Sequence, residues 1–189
     1  MHRIAVIGGD GIGPEVTREA MTVMEHAVPP GTFHFDPLPY SADYLLTHGH
    51  SMPEGELERF QTDYDAILLG ALGDPRVPDM RHARDILLGA RRTLDLFINL
   101  RPVKLWDSEL CPLKGRKPGD IDVVIFRENT EGVYSGMGGC HRRGTTHEVA
   151  VTEMIATYHG TERIIRAAFE YARVQGRASV CMASKHNAI

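Results

Sequence analysis

The sequence predicts an α/β fold in which a parallel-sheet core is flanked by helices. Three short apolar stretches, residues 3–7, 32–35 and 66–70, alternate with helical patterns along the first half of the 189-residue chain. Such alternation is typical of parallel strands that are joined by crossover helices and covered on both faces. A fourth apolar stretch, residues 122–126, has the pattern of a further buried strand.

The first strand leads into a glycine-rich turn, Gly9-Asp10-Gly11-Ile12-Gly13, and Pro14 suits the first turn of the helix that follows. The glycine spacing is GxGxG and not the GxGxxG of a dinucleotide fingerprint, which favours a structural strand-to-helix turn over a phosphate loop. Asp36 is the nearest candidate for the acidic residue that such a fingerprint needs after the second strand. The apolar stripe expected on this helix consists of Val16, Ala20, Val23, Met24 and Ala27.

Helical patterns continue through the rest of the chain. Short helices are predicted at 43–47 and 54–60, and a longer one at 85–97. The clearest helix pattern runs from 161 to 174, with Gly176 as its closing residue. Strands are expected at 148–152 and 178–182, and the glycine-rich basic stretch before the first of these predicts an exposed excursion.

Composition excludes several classes of function. The formal net charge is -4, which gives no reason to expect a nucleic-acid or anionic-membrane partner. Met1-His2-Arg3 leads straight into a strand, so no signal peptide is expected, and no apolar run could span a bilayer. Cys111, Cys140 and Cys181 form no CxxC pair and are expected to be reduced thiols of a cytoplasmic protein.

The run Arg127-Glu128-Asn129-Thr130-Glu131-Gly132-Val133-Tyr134 is the most informative stretch of the sequence. It directly follows the strand pattern at 122–126, and open α/β folds place ligands at the carboxyl ends of parallel strands. Arginine binds carboxylates through two parallel hydrogen bonds, and tyrosine can transfer a proton to a carbon centre. The run therefore suggests an acidic small-molecule substrate and acid–base chemistry.

Three arginines, Arg91, Arg101 and Arg127, lie at the ends of apolar elements, which favours a substrate with several carboxylates. For any one of them a solvated surface position is the commoner alternative. Tyr134 could likewise be a half-buried aromatic residue, and Lys185 a surface lysine. A lysine near clustered arginines has its ammonium form destabilised, which favours the neutral state that a base needs.

Several segments together resemble the metal-dependent β-decarboxylating dehydrogenases of isocitrate, 3-isopropylmalate, homoisocitrate and tartrate. They occur in the family's order, and family members continue well past Ile189. The chain thus resembles the N-terminal portion of an isopropylmalate dehydrogenase-like fold, incomplete at the C-terminus. The matching segments are Gly9 to Glu15, Leu69 to Gly73, Leu94 to Val103, Arg127 to Tyr134, Glu162 to Ala172, and Lys185-His186-Asn187.

The resemblance implies an oxidoreductase that transfers a hydride from a 2-hydroxy diacid to NAD, with NADP not excluded, and releases carbon dioxide. Arg91, Arg101 and Arg127 would bind the carboxylates of the substrate. Tyr134 would protonate the enol product, and Lys185 would act as the base on the hydroxyl across a dimer interface.

The resemblance also implies the cofactor contacts and the domain organisation. Residues expected near the cofactor are Ile12, Ala71, Asn129 and Asn187. A magnesium or manganese ion would take part, but the family's metal-binding aspartates lie beyond Ile189, so no metal ligand is expected in this chain. Residues 1–99 would form the first part of the large cofactor-side domain. Residues 100–189 would form the dimerisation domain, with an arm at about 135–152 that clasps a second subunit or assembles with a C-terminal half.

The signals for substrate choice disagree. The run from Arg127 to Gly132 resembles the isocitrate, homoisocitrate or tartrate branch, whereas Leu87 and Leu88 resemble the apolar wall that receives an isopropyl group. An isopropylmalate-type acid is favoured over isocitrate, homoisocitrate or tartrate. The alternative is a truncated, non-catalytic or regulatory partner subunit of a full-length dehydrogenase.

Overall fold

The computed structural model describes residues 1–184 of the chain. Lys185 and Asn187, two of the predicted site residues, lie outside the described residues. The chain forms two compact units, the first from Met1 to Asp95 and the second beginning at Leu96. Within residues 1–184, no helix is both long and apolar enough to cross a bilayer. The three cysteines are free thiols.

The first unit contains a three-stranded parallel sheet, which confirms the predicted core. β1 (His2–Gly9) lies between β2 (Phe33–Leu38) and β3 (Ala66–Ala71), and both pairings are parallel. The helices that follow the first two strands are α1 (Gly13–Ala27), α2 (Ala42–His48) and α3 (Glu56–Asp63). The buried apolar core beside the sheet consists of Ala5, Ile7, Tyr40, Phe60 and Ile86.

Helix α1 is rotated relative to the expected apolar stripe. Val16 and Val23 are exposed, whereas Thr17 is only 5 % exposed. The Thr17 hydroxyl donates a hydrogen bond to the carbonyl of Gly13 at 2.8 Å, so its polar group is satisfied inside the helix. Thr17 can therefore pack against the sheet, where a Cβ on Gly70 would lie 3.0 Å from its methyl group.

The helix predicted at 85–97 has different limits. α4 (Arg81–Ala83), a π-helical turn (Arg84–Leu88) and α5 (Gly89–Thr93) follow one another without a break, and we call residues 81–93 the π-containing helix. Asp95 adopts a left-handed conformation with φ 46°, which prevents the helix from continuing to Phe97. The apolar spacing continues past the helix end because Leu94 packs against the core of the first unit.

The second unit contains an antiparallel ribbon of β4 (Ile98–Lys104) and β5 (Asp122–Glu128). The expectation that Arg127 ends a parallel-sheet strand was therefore wrong. Between these strands the chain forms only a short 3-10 helix, Ser108–Leu110, and not the crossover helix that a parallel pairing requires. The apolar residues of β5 are also more exposed than expected, with Val123 50 % and Ile125 49 % exposed.

Helix α6 (Tyr158–Val174) packs on β5, where the rings of Tyr171 and Phe126 meet edge to face with centroids 5.2 Å apart. It begins three residues before the predicted start because Thr157 caps it: the Thr157 hydroxyl accepts the N–H of Gly160 at 3.0 Å. Gly176, with φ 62°, follows the helix end as predicted.

The predicted excursion contains a hairpin of β6 (Gly138–His141) and β7 (Val149–Thr152), whose residues are all exposed. The strand expected at 148–152 is thus confirmed. Residues 178–182 were also predicted to form a strand, but they are exposed and irregular. A strand needs a neighbour to pair its backbone groups, and none of the described strands lies beside these residues.

Candidate active site

The two faces of the β4–β5 ribbon have different environments. Asn99 pairs directly with Arg127, and Arg101 lies two residues further along β4, so these three side chains share one face. We call it the arginine face. On the opposite face, Phe126 and Glu128 contact helix α6.

Two amide side chains link the guanidinium groups of the arginine face. Arg101 Nε donates to Asn99 Oδ1 at 2.7 Å, and Arg127 Nη2 donates to Asn129 Oδ1 at 3.3 Å. Asn99 Nδ2 donates to the same Asn129 oxygen at 3.4 Å. Two positive groups are thereby held on one surface, and within residues 1–184 neither forms an ion pair with a carboxylate, an arrangement that suits a ligand with several carboxylates.

Asn129 anchors this network to the backbone of the second unit. It is only 5 % exposed, and its Nδ2 donates to the carbonyl of Leu96 at 3.1 Å. Its backbone N–H donates to the carbonyl of Phe97 at 3.0 Å. Asn129 is expected to contact a cofactor, but both its side-chain oxygen and its side-chain nitrogen form hydrogen bonds within the second unit. Its positioning role was missed because it depends on the pairing of residues 30 positions apart, as the bond to Asn99 illustrates.

Tyr134 lies beside Arg127 in the second unit. It belongs to a short 3-10 helix, Val133–Ser135, that begins after Gly132, whose φ of 67° favours glycine. The guanidinium carbon of Arg127 is 5.3 Å from the centroid of the Tyr134 ring, which is cation–π distance. The phenol is therefore adjacent to a guanidinium group, a chemical group suited to carboxylate contacts.

Arg127 retains unused hydrogen-bonding capacity. Its Nε atom is buried and has no hydrogen-bond partner among residues 1–184. Buried donors in folded proteins nearly always find a partner, so an unpaired one in a cluster of polar groups is typical of a binding site.

Glu128 has a structural role. Its carboxylate accepts the hydroxyl and N–H of Thr130 at 2.7 and 2.9 Å, and the N–H of Glu131 at 2.6 Å. It also pairs with Arg163 at 3.1 Å. Burial acts to raise the pKa of Glu128, but the hydrogen bonds from Thr130, Glu131 and Arg163 together hold this pKa below its ordinary value. The carboxylate stays ionised and orders the turn that leads to Tyr134.

The first unit has a second candidate surface at the carboxyl ends of β1 and β3. The chain leaves β1 for β2 and then returns across β1 to β3, so the order of strands reverses between β1 and β3, where open α/β sheets bind ligands. Gly9 pairs with Ala71 at this edge, and Ile12 in the turn above it is 68 % exposed. Two of the residues predicted to contact a cofactor therefore lie at this reversal.

The glycine turn is built for close packing. A Cβ on Gly13 would lie 2.1 Å from the carbonyl oxygen of Gly8, so only glycine lets α1 approach the strands here. This agrees with a structural turn. Asp36, the candidate for a ribose contact, instead pairs with Arg3 at 2.6 Å and with His34 at 3.0 Å.

The substrate residues predicted in the first unit lie in the π-containing helix. Leu87 and Leu88 belong to the π turn and Arg91 to α5, and all three are partly exposed. Arg91 lies in the first unit, whereas Arg101, Arg127 and Tyr134 lie in the second. The structure thus brings Arg101, Arg127 and Tyr134 together within the second unit.

The described residues do not by themselves fit a divalent metal ion. Across residues 1–184 there is no group of three or more histidine, cysteine, aspartate or glutamate side chains placed to hold one. Carboxylate and water oxygens are the ligands that Mg²⁺ and Mn²⁺ prefer.

Comparison with known proteins identifies the family. The family described as "Isocitrate/isopropylmalate dehydrogenase" matches residues 3–189. The chain is 43 % identical to the D-malate dehydrogenase [decarboxylating] of Escherichia coli (strain K12), covering 99 % of this chain and 53 % of that protein. It is also 43 % identical to the 3-isopropylmalate dehydrogenase of Bifidobacterium longum (strain DJO10A), covering 100 % of this chain and 54 % of that protein.

A solved structure supports the same relationship. The isocitrate dehydrogenase from Methylococcus capsulatus superposes with a TM-score of 0.77 and 29 % identity, covering 94 % of this chain and 49 % of that one. The chain spans about half the length of the curated relatives it matches. Its sequence and its fold show that it belongs to the isocitrate/isopropylmalate dehydrogenase family.

Proposed function

We propose that this chain supplies the carboxylate-binding and proton-donating part of an enzyme that oxidatively decarboxylates a 2-hydroxy diacid with NAD(P). The observation that best supports the proposal is the arginine face, where Arg101 and Arg127 are held side by side with the phenol of Tyr134 next to Arg127. Each guanidinium group presents several N–H donors in a fixed planar arrangement, which suits carboxylate contacts.

In the proposed reaction the arginines orient the diacid, and Arg91 contributes a further carboxylate contact from the π-containing helix. Lys185 accepts the proton of the hydroxyl while hydride leaves the carbon that bears this hydroxyl, and the carbon becomes a ketone. A bound nicotinamide would supply the acceptor for the hydride. The bond to the β-carboxylate then breaks, carbon dioxide leaves, and its bonding electrons remain on the substrate as an enolate. Tyr134 donates a proton to the enolate carbon.

We infer that the cofactor approaches the reversal between β1 and β3. The exposed Ile12 side chain and the backbone at Ala71 offer an apolar edge there. Asn129 and Asn187 are further expected contacts, and NAD is favoured, with NADP as the alternative. A magnesium or manganese ion would need ligands other than those of residues 1–184.

We propose an isopropylmalate-type substrate over isocitrate, homoisocitrate or tartrate because Leu87 and Leu88 offer an apolar wall on the same helix as Arg91. Overall similarity does not decide the substrate, since the D-malate and 3-isopropylmalate relatives are equally identical to this chain. Each methylene-sized change against such a wall alters specificity by about 1–3 kcal/mol. D-malate therefore belongs among the acids to be tested.

The proposed assembly is a homodimer or a complex with a C-terminal half, in the cytoplasm. The exposed hairpin of β6 and β7 presents Val149 and Val151, each about half exposed, as the arm that would contact a second subunit. The three free thiols suit a reducing compartment.

The test is NADH formation by the purified protein together with any polypeptide that copurifies, identified by its intact mass under denaturing conditions. 3-Isopropylmalate, D-malate, tartrate and isocitrate are compared with Mn²⁺ present. The proposal predicts turnover with the highest kcat/KM for 3-isopropylmalate. Absence of turnover with all four acids would contradict it.

The second candidate function is a non-catalytic or regulatory subunit of a full-length dehydrogenase. It is favoured by the lack, within residues 1–184, of a group of side chains that could hold a metal ion. Binding of the acid without turnover, together with altered kinetics of an added full-length relative, would support this alternative.

A further inference from the structure

The buried carboxylate of Asp10 joins four parts of the first unit. Its Oδ1 accepts the N–H of Ala42, the first residue of α2, at 2.7 Å. Its Oδ2 accepts the N–H of Gly73, just after β3, at 2.8 Å and also contacts His82 Nε2 at 2.8 Å. The glycine turn, α2, the end of β3 and the π-containing helix therefore meet at one side chain.

Asp10 is 7 % exposed and His82 is fully buried. Burial acts to raise the pKa of Asp10, but the N–H groups of Ala42 and Gly73 and the His82 ring hold it below the ordinary value. Asp10 is therefore an ionised acceptor, and Nε2 of His82 donates to it. This bond forms whether the ring is neutral or charged, because Nε2 has a proton in both cases.

His82 has no second polar contact within the described residues, since its Nδ1 is buried without a partner. The bond to Asp10 is thus the hydrogen bond that fixes the orientation of the ring. The neighbouring inward residue, Ile86, is 1 % exposed and belongs to the apolar core. Apolar contacts fix how deeply a helix is buried but are not directional, whereas a hydrogen bond is.

The π turn begins at Arg84, two residues after His82. A π turn inserts one residue relative to an α-helix, which rotates the side chains that follow by roughly 100°. Leu87, Leu88 and Arg91 all lie within or after this turn. Their direction consequently depends on how the start of the helix is held.

We propose that Asp10 and His82 are positioning residues that set the rotation of the π-containing helix against the glycine turn. This bond fixes the orientation of the helix relative to the glycine turn. The turn bears Ile12, and the helix bears Leu87, Leu88 and Arg91. The inference rests on the proposed function insofar as those residues contact cofactor and acid.

The first test is hydrogen exchange in the 189-residue chain, which requires no catalysis. His82→Leu removes the donor at similar volume, whereas His82→Gln places an amide N–H near the position of Nε2. His26→Leu, at an exposed histidine in the last turn of α1, is the matched control. His82→Leu is expected to accelerate exchange at 84–93 and at Gly73 by roughly ten- to a hundredfold, with protection restored in His82→Gln.

Two results would overturn the proposal. If exchange in His82→Leu rose equally across the amides of β1 and β2, the residue would act through global stability alone. If the increase were confined to residues 81–83, His82 would not control the helix that follows. Since neither result depends on turnover, failure of the dehydrogenase assay and failure of this proposal can be told apart.

The second test uses the active enzyme. His82→Leu is expected to raise KM for the acid about tenfold while kcat changes less than threefold, because the reacting groups Tyr134 and Lys185 are unaltered. His82→Gln is expected to restore KM. Equal falls in kcat for both variants with unchanged KM would contradict a positioning role.

Discussion

The carboxylate of Glu131 holds the backbone of Thr157, which follows it by 26 residues. It accepts the Thr157 N–H at 2.8 Å and the Thr157 hydroxyl at 2.5 Å. A Cβ on Gly160 would lie 2.4 Å from the carboxylate, so a larger residue there would displace Glu131 from the first turn of α6. Glu131, which belongs to the run from Arg127 to Tyr134, therefore stabilises the start of α6, the helix that packs behind the arginine face.

Glu131→Ala is expected to lower the free energy of unfolding by about 1 kcal/mol, because it removes two hydrogen bonds from Thr157, an exposed residue whose N–H and hydroxyl can then bind water. Urea unfolding measures this change. Glu162→Ala, which removes an exposed i,i+4 pair with Arg166 on the same helix, is the control and should cost less than about 0.5 kcal/mol. Equal effects of the two substitutions would contradict the role of Glu131.

Acid is expected to destabilise the chain through carboxylates with lowered pKa values. Asp10 and Glu128 both have pKa values below their ordinary values, and Arg76 lowers the pKa of Asp74 to about 2. Each folded-state pKa is below the unfolded one, so the stabilisation is present above the unfolded pKa and is lost as pH falls through the folded pKa. The urea midpoint should fall between about pH 5 and pH 2.

Asp10→Asn tests the contribution of the most buried of these three carboxylates. The variant should be less stable near neutral pH, and its urea midpoint should depend less on pH over the acidic range. A midpoint as steeply dependent on pH as that of the unmodified chain would mean that Asp10 does not contribute.

Arg127→Met is expected to weaken binding of the diacid by roughly ten- to a hundredfold, since a charge-assisted hydrogen bond contributes about 1.5–3 kcal/mol. Arg127→Lys retains the charge but not the planar pair of donors and should recover only part of the affinity. Calorimetric titration with 3-isopropylmalate measures both. Arg166→Met, at an exposed arginine on α6, is the control and should leave affinity unchanged.

Tyr134→Phe is expected to lower kcat by about 10²–10⁴-fold with little change in KM, because the ring beside Arg127 remains while the proton donor is lost. Steady-state kinetics at saturating acid measures this effect. A rise in KM at constant kcat would show that the phenol binds substrate and does not transfer a proton.

The alternation of apolar and helical segments predicted the parallel sheet because short-range patterning specifies its strands and helices. The partners of Glu128 and Glu131 were not predictable in the same way. Arg163 and Thr157 lie 35 and 26 residues away, and nothing local distinguishes these carboxylates from catalytic ones. The π turn was also missed, since its apolar spacing over five residues is close to that of an α-helix.

The Asp10–His82 bond was missed for the same reason. In the sequence Asp10 is one residue of the glycine turn, and no motif distinguishes His82 from the other nine histidines. Their separation of 72 residues makes the contact a property of the folded sheet and not of a motif.

The most direct test of the proposed function measures carbon dioxide and NADH together in one reaction with 3-isopropylmalate and Mn²⁺. The purified protein is used with any copurifying polypeptide, and Tyr134→Phe serves as the comparison. We expect one carbon dioxide to be released for each NADH formed, and both products to form much more slowly with the variant. Acid binding without formation of either product, or NADH formation without carbon dioxide, would contradict it.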